Sequence, residues 1–268
     1  MAHDPWRIVT MNVANSTSPW VNPDVNALQP MYEVVYPASP ARLRHNDAVF
    51  HPTVTALAVL RNHIASEALK AVWNHLQTVH RKKKLQTIES RARYIEGLFK
   101  NENDHPIIWR EYVEGDIQDH PEVGGYKTTR RGVFQSDPIL AALLGYYTSY
   151  GIMEGPPSED PGPGNRPMGI LALASAAVER AYRMHETGDF VNSGQRFDRD
   201  SCGSWTERYM DYITNNLGET QWNSLFGALS AFSKQAKKAE AMKNCEPKEP
   251  RERVPLPPSD PPTPPHND

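Results

Sequence analysis

The chain of 268 residues has room for one or two domains, yet only 38% of it is hydrophobic and its mean hydropathy is −0.64, so part of it is expected to stay outside a packed core. Its 29 Lys/Arg and 32 Asp/Glu leave a net charge of −3, which excludes a molecule-wide affinity for polyanions and confines any nucleic-acid contact to a local patch. Two isolated cysteines, Cys202 and Cys245, with no C-x-x-C, exclude a disulfide framework and a cysteine zinc site.

The opening MAHDPWRIVTMNVAN lacks the apolar core of a signal peptide, and no run of about 18 apolar residues exists to span a bilayer. The expectation is an intracellular protein, cytoplasmic or nuclear, with no membrane partner. Residues 1–50 are rich in Pro, Asn and Ser, with a β-leaning run at Tyr32–Tyr36, and read as an extended, partly disordered arm. Trp6, Trp20 or Tyr36 would dock it onto the domain behind.

From Thr53 the apolar residues recur at helical spacing. Val54, Leu57, Ile64, Ala68, Val72, Leu76 and Val79 form a stripe that Leu60, Leu69 and Trp73 widen, with Pro52 at the helix start. This predicts a helix of about seven turns with one buried side. A second series, Leu85, Ile88, Ala92, Ile95 and Phe99, is out of phase with the first. The helix therefore breaks or rotates near 80–84, where the basic run Arg81, Lys82, Lys83 and Lys84 sits, with Arg91 and Arg93 just beyond.

Residues 101–126 are acidic, contain Pro106, Pro121 and Gly124-Gly125, and read as a long connection. Ser136 is placed to cap a third helix, with Pro138 in its first turn, Ile139, Leu143, Tyr146, Tyr147 and Tyr150 inward, and Gly151 as its stop. After a loop over 153–167, Pro167 opens a fourth helix with Met168, Leu171, Ala172, Ser175, Val178 and Tyr182 on one face and Gly188 beyond its end. Its ILALASAA run is small and apolar enough to lie centrally. Ser204 to Glu207 reads as a capping box for a fifth helix that buries Trp205, Tyr209 and Ile213 and ends at Gly218. A sixth carries Trp222, Leu225, Phe226, Leu229, Phe232 and Ala236. The predicted fold is all-α: a single domain of about six helices over 51–242, between the arm and a disordered proline-rich tail, 243–268.

Three stretches, YIEGLFKNENDHPIIWREYVEGD, RRGVFQSDPILAALLGYYTSYG and RPMGILALASAAVERAYRMHETGDF, carry a family likeness. In this order the chain resembles an uncharacterised helical domain family, a domain of unknown function, of mushroom-forming basidiomycete fungi. The resemblance covers roughly 51–235 and rests on Gly132, Phe134, Pro138, Ile139, Pro167, Leu171, Ala172, Thr187 and Gly188. Phe134 stands one residue further from Pro138 than the family pattern has it, and His185 takes a position often held by tryptophan. The resemblance implies a helical fold and no activity.

Catalytic signatures are lacking. Gly124 to Thr129 has tyrosine where a phosphate-binding loop has its lysine, and no glycine at the upstream position. His75 and His80 point about 140° apart on a helix, and no H-E-x-x-H is present. Asp198 to Asp200 copies a D-x-D metal motif without its α/β setting, and a charged loop is the preferred reading. No nucleophile lies next to a base, so no cofactor and no metal are expected.

Charge is the stronger signal. Residues 61–100 carry nine Lys/Arg against three Asp/Glu, a net of +6, and residues 101–126 one against seven, a net of −6. Either the acidic stretch folds over the basic helix, or Arg81, Lys82, Lys83, Lys84, Arg91 and Arg93 serve as a nucleic-acid surface or nuclear-import signal. Four phosphate contacts would give a salt slope of about −3.6, at roughly −0.9 each, and no aromatic interleaves the cluster for stacking. The leading expectation is a non-enzymatic all-α module with a protein partner; the alternatives are a nucleic-acid-associated nuclear protein using 81–93 and an enzyme with a dispersed site.

Overall fold

The computed structural model describes residues 11, 13–35, 42–44, 50–99, 106–114, 128–148, 156–192, 194 and 196–245. The chain divides into two compact units, 1–234 and 235–268. The described residues are dominated by α-helix: α1 (Val25–Val35), α2 (Phe50–Lys82), α3 (Ile88–Phe99), α4 (Asp137–Thr148), α5 (Met168–Arg183), α6 (Arg199–Asn216) and α7 (Glu219–Cys245), with 3-10 turns at Pro106–Ile108 and Pro163–Asn165. Of the second unit, 235–245 are described, as the last turns of α7. The proline-rich stretch beyond lies outside the described residues. Among them no helix is long and apolar enough to cross a membrane.

Helix α5 is the axis of the first unit. Every residue from Gly169 to Tyr182 is buried, because Gly, Ala and Ser let α2, α4 and α6 approach it from several sides. Buried Ser175 returns its hydroxyl to the Leu171 carbonyl at 2.8 Å, so the helix carries it without an outside partner. Helix α2 lays Leu57, Leu60, Ile64, Ala68, Val72 and Leu76 along the core, as the spacing predicts. It begins three residues earlier than expected and runs about nine turns. Trp222, Leu225, Phe226 and Leu229 of α7 are buried in the same core.

The arm departs from its extended reading. Val25–Val35 is helical, not β-leaning: Val25, Leu28 and Tyr32 fall on one helical face and pack with Leu43 and Leu57. Burial of that face outweighs the β-branched propensity of the final residues. Asp24 caps the helix by accepting from the Ala27 N–H at 2.8 Å. Trp20 does dock, donating from Nε1 to Thr206 Oγ1 at 2.9 Å and meeting Phe197 at 4.9 Å between centroids. Buried Arg61 of α2 grips the same segment, donating from Nε and a terminal nitrogen to the Pro19 carbonyl (3.1 and 2.9 Å) and to Asn22 Oδ1. Trp6 and Tyr36 lie outside the described residues.

The acidic connection contains a strand where none is predicted. β1 (Trp109–Glu114) pairs antiparallel with β2 (Thr128–Val133), with Trp109 opposite Val133 and Glu111 opposite Arg131. Opposite charges facing each other and an aromatic against a β-branched residue are pairings that favour a ladder.

Two predicted caps also differ. Asp198, not Ser204, starts α6: its Oδ1 accepts from the Ser201 N–H at 2.9 Å. Cys202 and Thr206 extend the buried row of Tyr209 and Ile213 back by two turns, which carries the helix past Ser204. Trp205 is consequently only half-buried. Ser136 occupies the cap position of α4, its carbonyl accepting from Leu140 N–H, but its hydroxyl has no partner among the described residues. Tyr150 and Gly151 lie outside them.

Gly169 marks where the arm meets the axis. A Cβ there would stand 2.5 Å from the Ser16 carbonyl oxygen and 2.7 Å from that of Val13. Gly169→Ala is therefore expected to push residues 13–16 off α5, seen as a lowered melting temperature together with faster proteolytic cleavage of the arm.

Candidate functional site

Among the described residues, the carboxylate buried on the central helix is committed to structure. Glu179 of α5 is 1% exposed. Its Oε1 accepts from Arg183 at 2.9 and 3.1 Å, and its Oε2 from Arg208 at 2.6 Å and from the Tyr209 hydroxyl at 2.8 Å. The Arg183 guanidinium also lies 4.4 Å from the Phe99 ring centroid and 5.2 Å from that of Trp205. Burial, followed by the Glu179 charge, raises the Tyr209 phenol well above its ordinary pKa, so it remains a donor. A general base must reach a substrate proton, and this carboxylate is enclosed and saturated with donors.

Other chemistry-bearing residues are equally occupied. The Cys202 thiol is buried and pushed up to about 11 by desolvation, which makes it unreactive. Asp198 of the D-x-D stretch is a helix cap, held below the usual carboxylate range by the Ser201 N–H. Among the described residues no group of three or more His, Cys, Asp or Glu gathers to hold a metal ion. Gly124 to Lys127 lie outside them.

The predicted basic residues do not form one patch. Helix α2 ends at Lys82 in a two-bond terminator: Leu85 N–H donates to the His80 carbonyl at 2.9 Å and Lys84 N–H to that of Arg81 at 3.4 Å. Lys84 takes the left-handed position, φ 54°, that glycine usually fills. Helix α3 then starts from a reciprocal cap: Thr87 Oγ1 accepts from Ser90 N–H and Ser90 Oγ from Thr87 N–H. This hard elbow resolves the change of helical phase as a break.

Around it, Arg81, Lys82, Lys83 and Lys84 are exposed, with Lys83 Nζ 4.9 Å from the Tyr94 ring centroid. Arg91 instead turns to Asp189, at 3.0 Å. Arg93 lines an open groove with Glu89, Glu96, Phe99 and Glu186, amid acidic side chains. Whether the acidic connection covers the elbow falls mostly on undescribed residues; its Glu111 stands across from Arg131 in the hairpin.

A second feature, missed by the periodicity, adjoins the elbow. Trp73, read from the sequence as part of the buried stripe, is 49% exposed. It lies across the His185 ring at 5.9 Å, and Phe190, also 49% exposed, flanks that ring at 5.4 Å. Leu69, Lys70 and Asn74 complete the lining of an open depression of about 540 Å³. Four of the seven large apolar side chains exposed among the described residues, Trp73, Ile88, Phe190 and Val191, belong to this region.

The turn after α5 positions it. Gly188 has φ 89°, and a Cβ there would stand 2.2 Å from the Ile88 carbonyl oxygen, so the turn lies directly on the start of α3. Val191 N–H closes it by donating to the Met184 carbonyl at 2.7 Å. A Trp four residues from Leu69 and eight before Arg81 has no sequence mark that separates it from the core stripe. Comparison with protein-family models, curated proteins and solved structures gave no match.

Two measurements address this region. His185, His80 and His75 all have lowered pKa values, each chiefly through burial; nearby Arg91 adds to the effect at His80, and His80 at His185. Above about pH 6.5, the ordinary histidine pKa, folded and unfolded chains both hold these rings neutral. As pH falls through that value the unfolded chain protonates first, so stability drops until the folded-state groups protonate in turn. The urea midpoint is expected to fall between about pH 7 and pH 5, and to fall less in His185→Gln. Lys84→Gly is expected to raise stability by up to about 1 kcal/mol in the same assay, by relieving the left-handed conformation.

Proposed function

We propose that the chain is a non-enzymatic, all-α interaction module that takes a protein partner on the shelf of Trp73, His185 and Phe190. The observation that carries this reading is the exposure of Trp73 on a helix whose other large apolar side chains mostly face the core. A large aromatic beside a second one, over a shallow apolar depression, is the composition of a contact hot spot. The enclosure of Glu179 and the inertness of Cys202 speak against catalysis by these groups. Membership of the basidiomycete family and residence in cytoplasm or nucleus belong to the same proposal.

Nucleic-acid association through 81–93 is the second reading. It is favoured by Arg81, Lys82, Lys83 and Lys84, which are exposed and form no salt bridge among the described residues. Against it, Arg91 is bridged to Asp189 and Arg93 sits among glutamates, so the phosphate contacts available are few.

A photo-crosslinking residue at position 74, which lines the depression and leaves Trp73 in place, compared with one at exposed Val59, separates these readings. A protein adduct formed at 74 and not at 59 is expected. No adduct, or equal adducts at both positions, would overturn the module; an RNA or DNA adduct at 74 would favour the second reading.

A further inference from the structure

We infer that the shelf takes an acidic linear peptide, with one large apolar side chain seated against Trp73 and Phe190 and a carboxylate reaching Arg81 on α2. This rests on the module reading and names its partner. Three observations carry it.

The first is size. Six residues line the depression, whereas an interface between globular proteins engages about 20–30 residues on each side. The depression of about 540 Å³ suits a side chain or two from an extended segment.

The second is the sign of the rim. Trp73, Gln77 and Arg81 follow one another along a single row of α2, so Arg81 stands about 12 Å along the axis from Trp73. Arg81 is exposed and without a salt bridge among the described residues, whereas Lys82 stands half a turn away from Trp73 around α2 and Lys83 and Lys84 lie past its end. The neighbouring carboxylates of Glu67 and Asp189 are already engaged with Lys70 and Arg91. Glu186, next to His185, is likewise bridged to Arg183, so among the described residues the charge left unmatched beside the apolar floor is positive. An acidic segment is drawn to that field and a basic one is repelled.

The third is the packing of the aromatics. A nucleic-acid platform offers successive free ring faces to bases. Here His185 lies against Trp73 with 32° between the ring planes and also contacts Phe190, so ring faces are taken up by one another and the cluster lines one open depression. The cations that would follow a phosphate chain past the elbow, Arg91 and Arg93, are tied to carboxylates or lie among them. An anchor side chain fits this arrangement better than a stack of bases.

The test is fluorescence anisotropy of the full chain with a labelled peptide of Asp and Glu around one central Phe. Parallel peptides carry Ala at the centre, or Lys in place of the acids, and a labelled oligothymidylate is the nucleic-acid probe. Binding of the Phe-centred acidic peptide is expected, weakened at least tenfold by Trp73→Ala or by Phe190→Ala and several-fold by Arg81→Gln. Circular dichroism confirms that these surface variants remain folded. Equal binding of the Ala-centred or the Lys-containing peptide, tighter binding of the oligothymidylate, or no binding at all would overturn the inference. Should the acidic peptide fail while position 74 still crosslinks to a protein, the module stands and only its partner class falls; should both fail, the module falls too.

Discussion

The burial of Glu179 constrains much of the rest of the first unit. An ionised carboxylate removed from water is tolerated only when its oxygens are fully supplied with donors, and withdrawing one partner from such a group typically costs about 3–5 kcal/mol. Arg183, Arg208 and Tyr209 supply them. Because these partners sit on α5 and α6, and because Arg183 also lies against Phe99 of α3 and Trp205 of α6, one ionic cluster sets the relative placement of three helices. It does so at the end of α5 where the chain leaves the core.

That placement has a consequence at the surface. The chain leaving α5 turns at once through Met184 to Val191, and the turn presses Gly188 onto the first residue of α3. Helix α3 is itself aimed by the elbow, whose terminator at Lys84 and reciprocal cap at Thr87 leave little freedom between two helices. His185 is thereby held against Trp73, and Phe190 against His185. The apolar shelf is thus built on rigid elements, and a preorganised surface loses less conformational entropy when it binds. The exposed cations of the elbow share this framework, which places charge and apolar surface side by side.

The sequence reading succeeded where the governing interaction is local and failed where it is not. The stripe on α2 and the phase break near 82 follow from periodicity that a few turns display, and the central place of α5 from its small apolar ILALASAA run. The start of α6 was misplaced because Ser204 and Glu207 have the spacing of a capping box, while the burial of Cys202 and Thr206 that extends the helix beyond them is a tertiary fact. Helix α1 was hidden by prolines and β-branched residues; it exists through Leu28 packing with Leu43 and Leu57. The hairpin was hidden because its strands are charged and lie far apart in the chain, and cross-strand pairing cannot be read from either alone.

By itself the sequence determined the all-α class, the order of the principal helices and the position of the basic elbow, since each depends on the spacing of residues within one segment. Only the tertiary structure decided which basic side chains are paired among the described residues. Arg91 and Asp189, like Trp73 and His185, meet through the packing of separate helices, and no local pattern encodes such a meeting. The same holds for Trp73 itself: its helical phase allows burial at the edge of the stripe, and it stays open because the neighbouring turn places rings beside it without covering it. The candidate site is a product of packing, which is why the charge run was legible and the aromatic shelf beside it was not.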